Sequence, residues 1–132
     1  MDGCGGWAFA AVCGDNVIKH STGGANDTTN NRMELLAIVQ AMSWAMTMGL
    51  GTTYIVTDSQ YCQHALTLNT RVKDDAPNVD LINTGRRLRR LLSPVHIFWV
   101  KGHAGNRWNE YVDKLAGAAR QRFKTAYLTG DK

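Results

Sequence analysis

Thr53-Tyr-Ile-Val-Thr57 is dense in β-branched residues and closes on Asp58, and from Gln60 to Leu68 the chain reads as a short helix. The β-branched content predicts a buried strand, and its direct passage into a helix is the unit of an α/β domain. Upstream, Leu35, Ile38, Val39, Met42 and Met46 recur at helical spacing from Met33, with Gly49 or Gly51 as the stop. Before that helix, Trp7 to Val12 and Val17 to His20 flank the turn Cys13-Gly-Asp-Asn16 and read as a hairpin. Thr22 to Asn31 reads as a polar loop. Downstream, Leu81, Ile82, Leu88, Leu91 and Leu92 mark a helix with Arg86, Arg87, Arg89 and Arg90 on its solvent side, ended by Ser93-Pro94. Val95 to Val100 follows as a strand, then a last helix striped by Val112, Leu115, Ala116, Ala119 and Phe123. The order β-β-α-β-α-α-β-α predicts an α/β fold with a mixed sheet flanked by helices. Met33, Met42 and Trp44 are expected to fill its core.

The chain's 132 residues suit one domain, since domains run to roughly 100–200 residues. Apolar residues at 44% and charged residues at 20% exclude a mainly disordered chain. No apolar run is long enough to span a membrane, and no basic segment followed by an apolar run marks a secretory signal. Cys4, Cys13 and Cys62 are odd in number and widely spaced, with no C-x-x-C, so reduced thiols in a cytoplasmic setting are expected. The net charge of +4 hides an asymmetry. Residues 1–81 hold four bases and eight acids, whereas residues 82–132 hold eleven bases and three acids. The basic half suits an anionic partner such as nucleic acid, or forms a solvated basic face.

Three acids sit where elements start or stop. Asp58 closes a strand, Glu34 stands at the opening of the first long helix, and Asp113 lies early in the last helix, four residues after Asn109 and on its face. Strand ends are where α/β folds assemble sites. Taken singly, each acid also reads as a helix-start charge favoured by the macrodipole.

Taken together, the local words are specific. Thr28-Thr-Asn-Asn-Arg-Met-Glu-Leu35, Thr57-Asp-Ser-Gln-Tyr61, and Trp99-Val-Lys-Gly-His-Ala-Gly105 followed by Asn109-Glu and Asp113 resemble, in that order, bacterial ribonuclease H of type 1. Gly5-Gly-Trp-Ala-Phe9 looks like the start of a strand in that family. The resemblance implies a ribonuclease H-like fold over residues 1–123, with residues 124–132 a tail, and cutting of the RNA strand in RNA/DNA hybrids with two Mg²⁺ ions, Mn²⁺ being an alternative. It implies a monomer with no membrane partner. Glu34, Asp58 and Asp113 match metal ligands, with Asp2 the candidate for a first aspartate, and His103 matches a histidine that handles protons and helps product leave. Thr29 and Asn78 match contacts to a DNA-strand phosphate. Asn30, Asn31 and Gln60 match minor-groove contacts, where amides donate and accept at once and the 2′-hydroxyl separates RNA from DNA. Asn109 is expected to orient the attacking water or a nearby ligand, or else to be a polar residue of the helix surface.

The chemistry suits those residue types. In-line hydrolysis of a phosphodiester needs an activated water and a stabilised leaving oxygen, and a pair of metals can serve both ends. Hard Mg²⁺ takes oxygen ligands, so a few carboxylates suffice, and their mutual repulsion makes the empty site a cation trap.

The chain departs from the family in two places. Asp2-Gly3 stands where the family has a full strand ending in Thr-Asp-Gly-Ser, and two residues cannot build a central strand. Asp131 in the strand-like tail Lys124 to Asp131 is a second candidate for the fourth acid. Leu68 to Asn78 stands where many members carry a basic, Trp-containing protrusion, so binding must lean on the arginine cluster and Lys101 or be weak. A catalytically impaired hybrid-binding module and the ribonuclease H domain of a reverse-transcriptase-like polyprotein are the competing readings.

Overall fold

The computed structural model describes residues 3–92, 94–102 and 107–129, the last seven as helical backbone. The elements follow the expected order: β1 (Gly5–Cys13), β2 (Asn16–Ala25), α1 (Asn30–Thr47), β3 (Thr53–Thr57), α2 (Gln60–Thr67), α3 (Val79–Leu91), β4 (Val95–Trp99) and α4 (Arg107–Thr129). The α/β class holds, with both pairing directions present in separate ladders. β1 and β2 form an antiparallel pair, β3 and β4 a parallel pair, and among the described residues no ladder joins the two.

β2 runs five residues further than the hairpin read from sequence. Gly24 and Gly23 pair with Gly6 and Trp7, so the backbone ladder carries a stretch whose side chains look like loop. Thr29 then caps α1, its hydroxyl accepting from Arg32 N at 3.2 Å. At the other end Met48 is the C-cap, and Gly49 follows at φ +65°.

The largest buried cluster joins Leu35, Ile38, Met42 and Ala45 of α1 to Ile55, Leu66, Ile82 and Ile97 of the elements that follow. Met33 is also buried, and Trp44 packs half-buried with its ring centroid 6.3 Å from that of Phe9. The strand β3 is not buried on both faces. Ile55 and Thr57 point inward while Tyr54 and Val56 are exposed, because α1 and α2 cover only one side of this two-stranded sheet. Tyr54, His96 and Phe98 stack on the open side, with centroids 5.4–6.4 Å apart.

α4 packs across β1 and β2. Gly6 permits that approach, because a Cβ there would overlap the Ala116 carbonyl oxygen and the Arg120 backbone. Residues 124–129 continue α4 where the sequence reads as strand-like, since Lys124, Ala126 and Leu128 favour helix and no Gly or Pro interrupts them before Gly130. The arginines of α3 do not all face solvent. Arg86 turns back, donating from Nε to Ala65 O and from Nη1 to Thr70 O, both at 2.7 Å.

Candidate active site

Asp58 follows the last residue of β3, and the chain around it is tied down on each side. Val100 N donates to Thr57 O at 2.9 Å, Trp99 Nε1 donates to Asp58 O at 3.0 Å, and Ser59 N donates to Thr57 Oγ1 at 3.1 Å. Ser59 then caps α2, its hydroxyl accepting from Cys62 N at 3.1 Å. The segment after β4 passes close by: a Cβ on Gly102 would stand 3.2 Å from Asp58 Oδ2.

Two helices bring further groups to this strand end. Asn109, 9% exposed on α4, donates from Nδ2 to Asp58 Oδ2 at 3.2 Å. It is therefore not a helix-surface residue but a link between α4 and the carboxylate. Glu34, one turn into α1 and partly buried, has its carboxyl pushed up to about 7, first by burial and then by the charges of Asp58 and Asp113. Asp113 itself is exposed, so α4 presents it to solvent while its charge reaches Glu34.

The three acids thus come from α1, the end of β3 and α4. As oxygen donors that raise one another's energy when ionised, Glu34, Asp58 and Asp113 fit a hard divalent cation. Among the described residues no group of three His, Cys, Asp or Glu is gathered tightly enough to close round one ion. Asp2, His103 and Asp131 lie outside the described residues. Beneath the acids, the buried Cys62 thiol is pushed up to about 11, chiefly by burial and also by the charges of Glu34 and Asp58. It is a protonated packing group, not a thiolate ligand.

A neighbouring cleft of about 460 Å³ gathers Thr29, Asn31, Tyr61, Val72 and Asn78. Asn78 caps α3 in the left-handed region, at φ +62°. Its amide is held from two sides: Nδ2 donates to the Tyr61 hydroxyl at 3.2 Å, and Oδ1 accepts from Arg32 Nη1 at 3.4 Å. Arg32 also forks onto Asp80, Nη1 to Oδ1 at 3.0 Å and Nη2 to Oδ2 at 2.8 Å. That fork holds the Asp80 carboxyl down at about 2. Asn30 and Gln60 are exposed first residues of α1 and α2 and do not line the cleft. Arg32, Tyr61 and Asp80 were not singled out from sequence; Arg32 and Asp80 meet across 48 residues, a separation no local pattern reports.

Comparison with known proteins bears on the family and the fold. A family model described as RNase H matches residues 1–121. A protein named Ribonuclease H from Anaplasma marginale (strain St. Maries) is 39% identical, with 91% of this chain and 82% of that protein covered. Another of that name from Treponema pallidum is 36% identical over 91% of this chain and 83% of its own length. Among solved structures, the N-terminal RNase H domain of a Mycobacterium tuberculosis protein superposes with a TM-score of 0.74 at 17% identity, covering 94% of this chain and 96% of that one. RNase H1 from the archaeon Halobacterium salinarum gives 0.67 at 21% identity, covering 86% and 94%. At those identities the structures speak for the fold.

Proposed function

The chain belongs to the ribonuclease H family, and on that premise we propose that it is a divalent-metal-dependent endonuclease hydrolysing the RNA strand of RNA/DNA hybrids. The observation that carries this reading is that α1, the end of β3 and α4 bring Glu34, Asp58 and Asp113 close enough for the charges of Asp58 and Asp113 to act on Glu34. In the proposal these residues, with Asp2 as the fourth, hold two Mg²⁺ or Mn²⁺ ions. When bound, the ions supply Lewis-acid stabilisation at both ends of an in-line displacement that leaves 5′-phosphate and 3′-hydroxyl ends.

The protein's own residues supply the rest. Asn109 orients the Asp58 carboxylate through its 3.2 Å hydrogen bond. Thr29 and Asn78 hold a DNA-strand phosphate in their shared cleft, with Asn78 fixed by Arg32 and Tyr61. Asn30, Asn31 and Gln60 face the minor groove and distinguish the 2′-hydroxyl. His103 is assigned proton handling and product release. We take residues 1–123 as the catalytic domain of a monomer. A cytoplasmic setting is supported by three free thiols, two of them buried.

The test is cleavage of an end-labelled RNA/DNA hybrid by the parent, Asp2→Asn and Asp58→Asn, each with Mg²⁺ and with EDTA. Cleavage is expected only in Mg²⁺. Asp58→Asn should abolish it with the fold intact, and Asp2→Asn should cost catalysis far more than binding. Full activity in EDTA or in the Asp58 variant overturns the proposal. Binding without cleavage by the parent would favour the impaired-module reading.

A further inference from the structure

Outside the acidic site, an open cleft of about 520 Å³ lies between α3 and the segment that leaves α2. Arg71, Arg86, Arg87 and Arg90 line it, and no carboxylate does. Spacings of three and four along α3 put Arg86, Arg87 and Arg90 on one helical face. The helix dipole accounts for a base such as Arg90 in the last turn. It does not account for Arg71, which arrives from a different segment, or for Arg86 and Arg87. Arg86 builds the wall: its 2.7 Å bonds to Ala65 O and Thr70 O hold the α2 exit against α3. Asp74 bridges Arg71 at 3.1 Å, and both side chains are largely exposed; among the described residues no carboxylate pairs with Arg86, Arg87 or Arg90. Like charges gathered in a cleft await an anion, and a guanidinium fork matches phosphate oxygens in pairs.

The cleft also adjoins the one proposed above for substrate, since Val72 lines both. We propose that the arginine cleft is a second backbone-phosphate site, which holds the DNA strand of the hybrid beyond the phosphate at Thr29 and Asn78. The inference rests on the ribonuclease H reading and deepens it: α3 itself takes over the grip for which Leu68 to Asn78 offers no basic protrusion.

The test is hybrid binding by fluorescence anisotropy in EDTA, across a salt series, for the parent, Arg87→Gln/Arg90→Gln and the hairpin control Lys19→Gln. Arg86 is left in place because it shapes the wall. Each phosphate neutralised adds about 0.9 to the slope of log K against log salt, so the double variant should lose about 2 from that slope and bind about tenfold more weakly at ~0.1 M salt. The control should match the parent. In cleavage assays the loss should fall on KM. The parent is then measured on a hybrid whose DNA strand carries neutral methylphosphonate linkages, which should erase its advantage over the double variant. An unchanged slope in a folded variant overturns the site, and an advantage that survives the neutral DNA strand overturns its assignment to that strand. Because binding is read without metal, a parent that binds in this way but does not cleave would refute the nuclease reading while leaving the cleft standing.

Discussion

Asn109 donates to Asp58 across 3.2 Å, and through that one hydrogen bond α4 is pinned to the end of β3. Asn109 is buried, so the bond is shielded from solvent. Partners that orient a metal-binding carboxylate typically matter about 10–100-fold. Asn109→Ala should therefore lower kcat by about that factor with KM nearly unchanged. Asn109→Asp also loses the donor to Asp58 but should lower the Mg²⁺ requirement, because a second carboxylate facing Asp58 deepens the cation trap. A Mg²⁺ titration of steady-state cleavage separates the two, and an Asn109→Ala variant with the parent's kcat at saturating metal would refute the orienting role.

Glu34 gives a pH dependence whose sign is fixed. Its folded-state carboxyl titrates near 7 against an ordinary 4.5, with burial the first cause. Between those values the folded chain holds a proton that the unfolded chain has released. The contribution is fully present below about 4.5 and is lost as pH rises through 7. In EDTA, the parent should lose more stability from pH 5 to pH 8 than Glu34→Gln does. Thermal melts over that range check this, and parallel profiles would count against it. Mg²⁺ should raise the parent's melting temperature more at the upper pH, where the acids are ionised.

Asn78 combines a backbone need with a proposed contact, and two substitutions separate them. A left-handed φ of +62° costs a residue with an ordinary Cβ about 1–2 kcal/mol, whereas Gly adopts it freely. Asn78→Gly should hold its melting temperature close to the parent's while KM rises, because the amide bound by Arg32 and Tyr61 is gone. Asn78→Ala should lose stability as well. If the Gly variant cleaves with the parent's KM, the phosphate role falls.

The acids were legible because each marks the start or end of an element: Asp58 after a β-branched strand, Glu34 behind a capping Thr, Asp113 one turn beyond Asn109. What joins distant segments was not. Nothing near Arg32 announces its fork onto Asp80, and nothing near Arg86 says that it leaves solvent for two backbone carbonyls. The strand Tyr54–Val56 misled for a related reason. β-branched content reports a pleated environment, while the number of covered faces depends on which helices reach the sheet.

The separation of the two ladders leads to a prediction about how the molecule comes apart. The large buried cluster is built from α1, β3, α2, α3 and β4, and contains no residue of β1, β2 or α4. The hairpin and α4 pack chiefly on each other, held to the rest through α1, the Phe9–Trp44 pair and the Asn109–Asp58 bond. With no ladder hydrogen bonds joining β1 to β3 among the described residues, opening one unit breaks none in the other. Cooperative units of this kind open at different free energies. Amides of β1, β2 and α4 should therefore exchange with deuterium before those of Ile38, Met42, Ile55 and Ile97, under conditions where the larger cluster stays closed. Since α4 carries Asn109 and Asp113, activity should disappear in urea before the fluorescence and dichroism changes of the main cluster. One shared midpoint for exchange, activity and spectroscopy would show instead that the contacts through α1 are strong enough to make the whole chain a single cooperative unit.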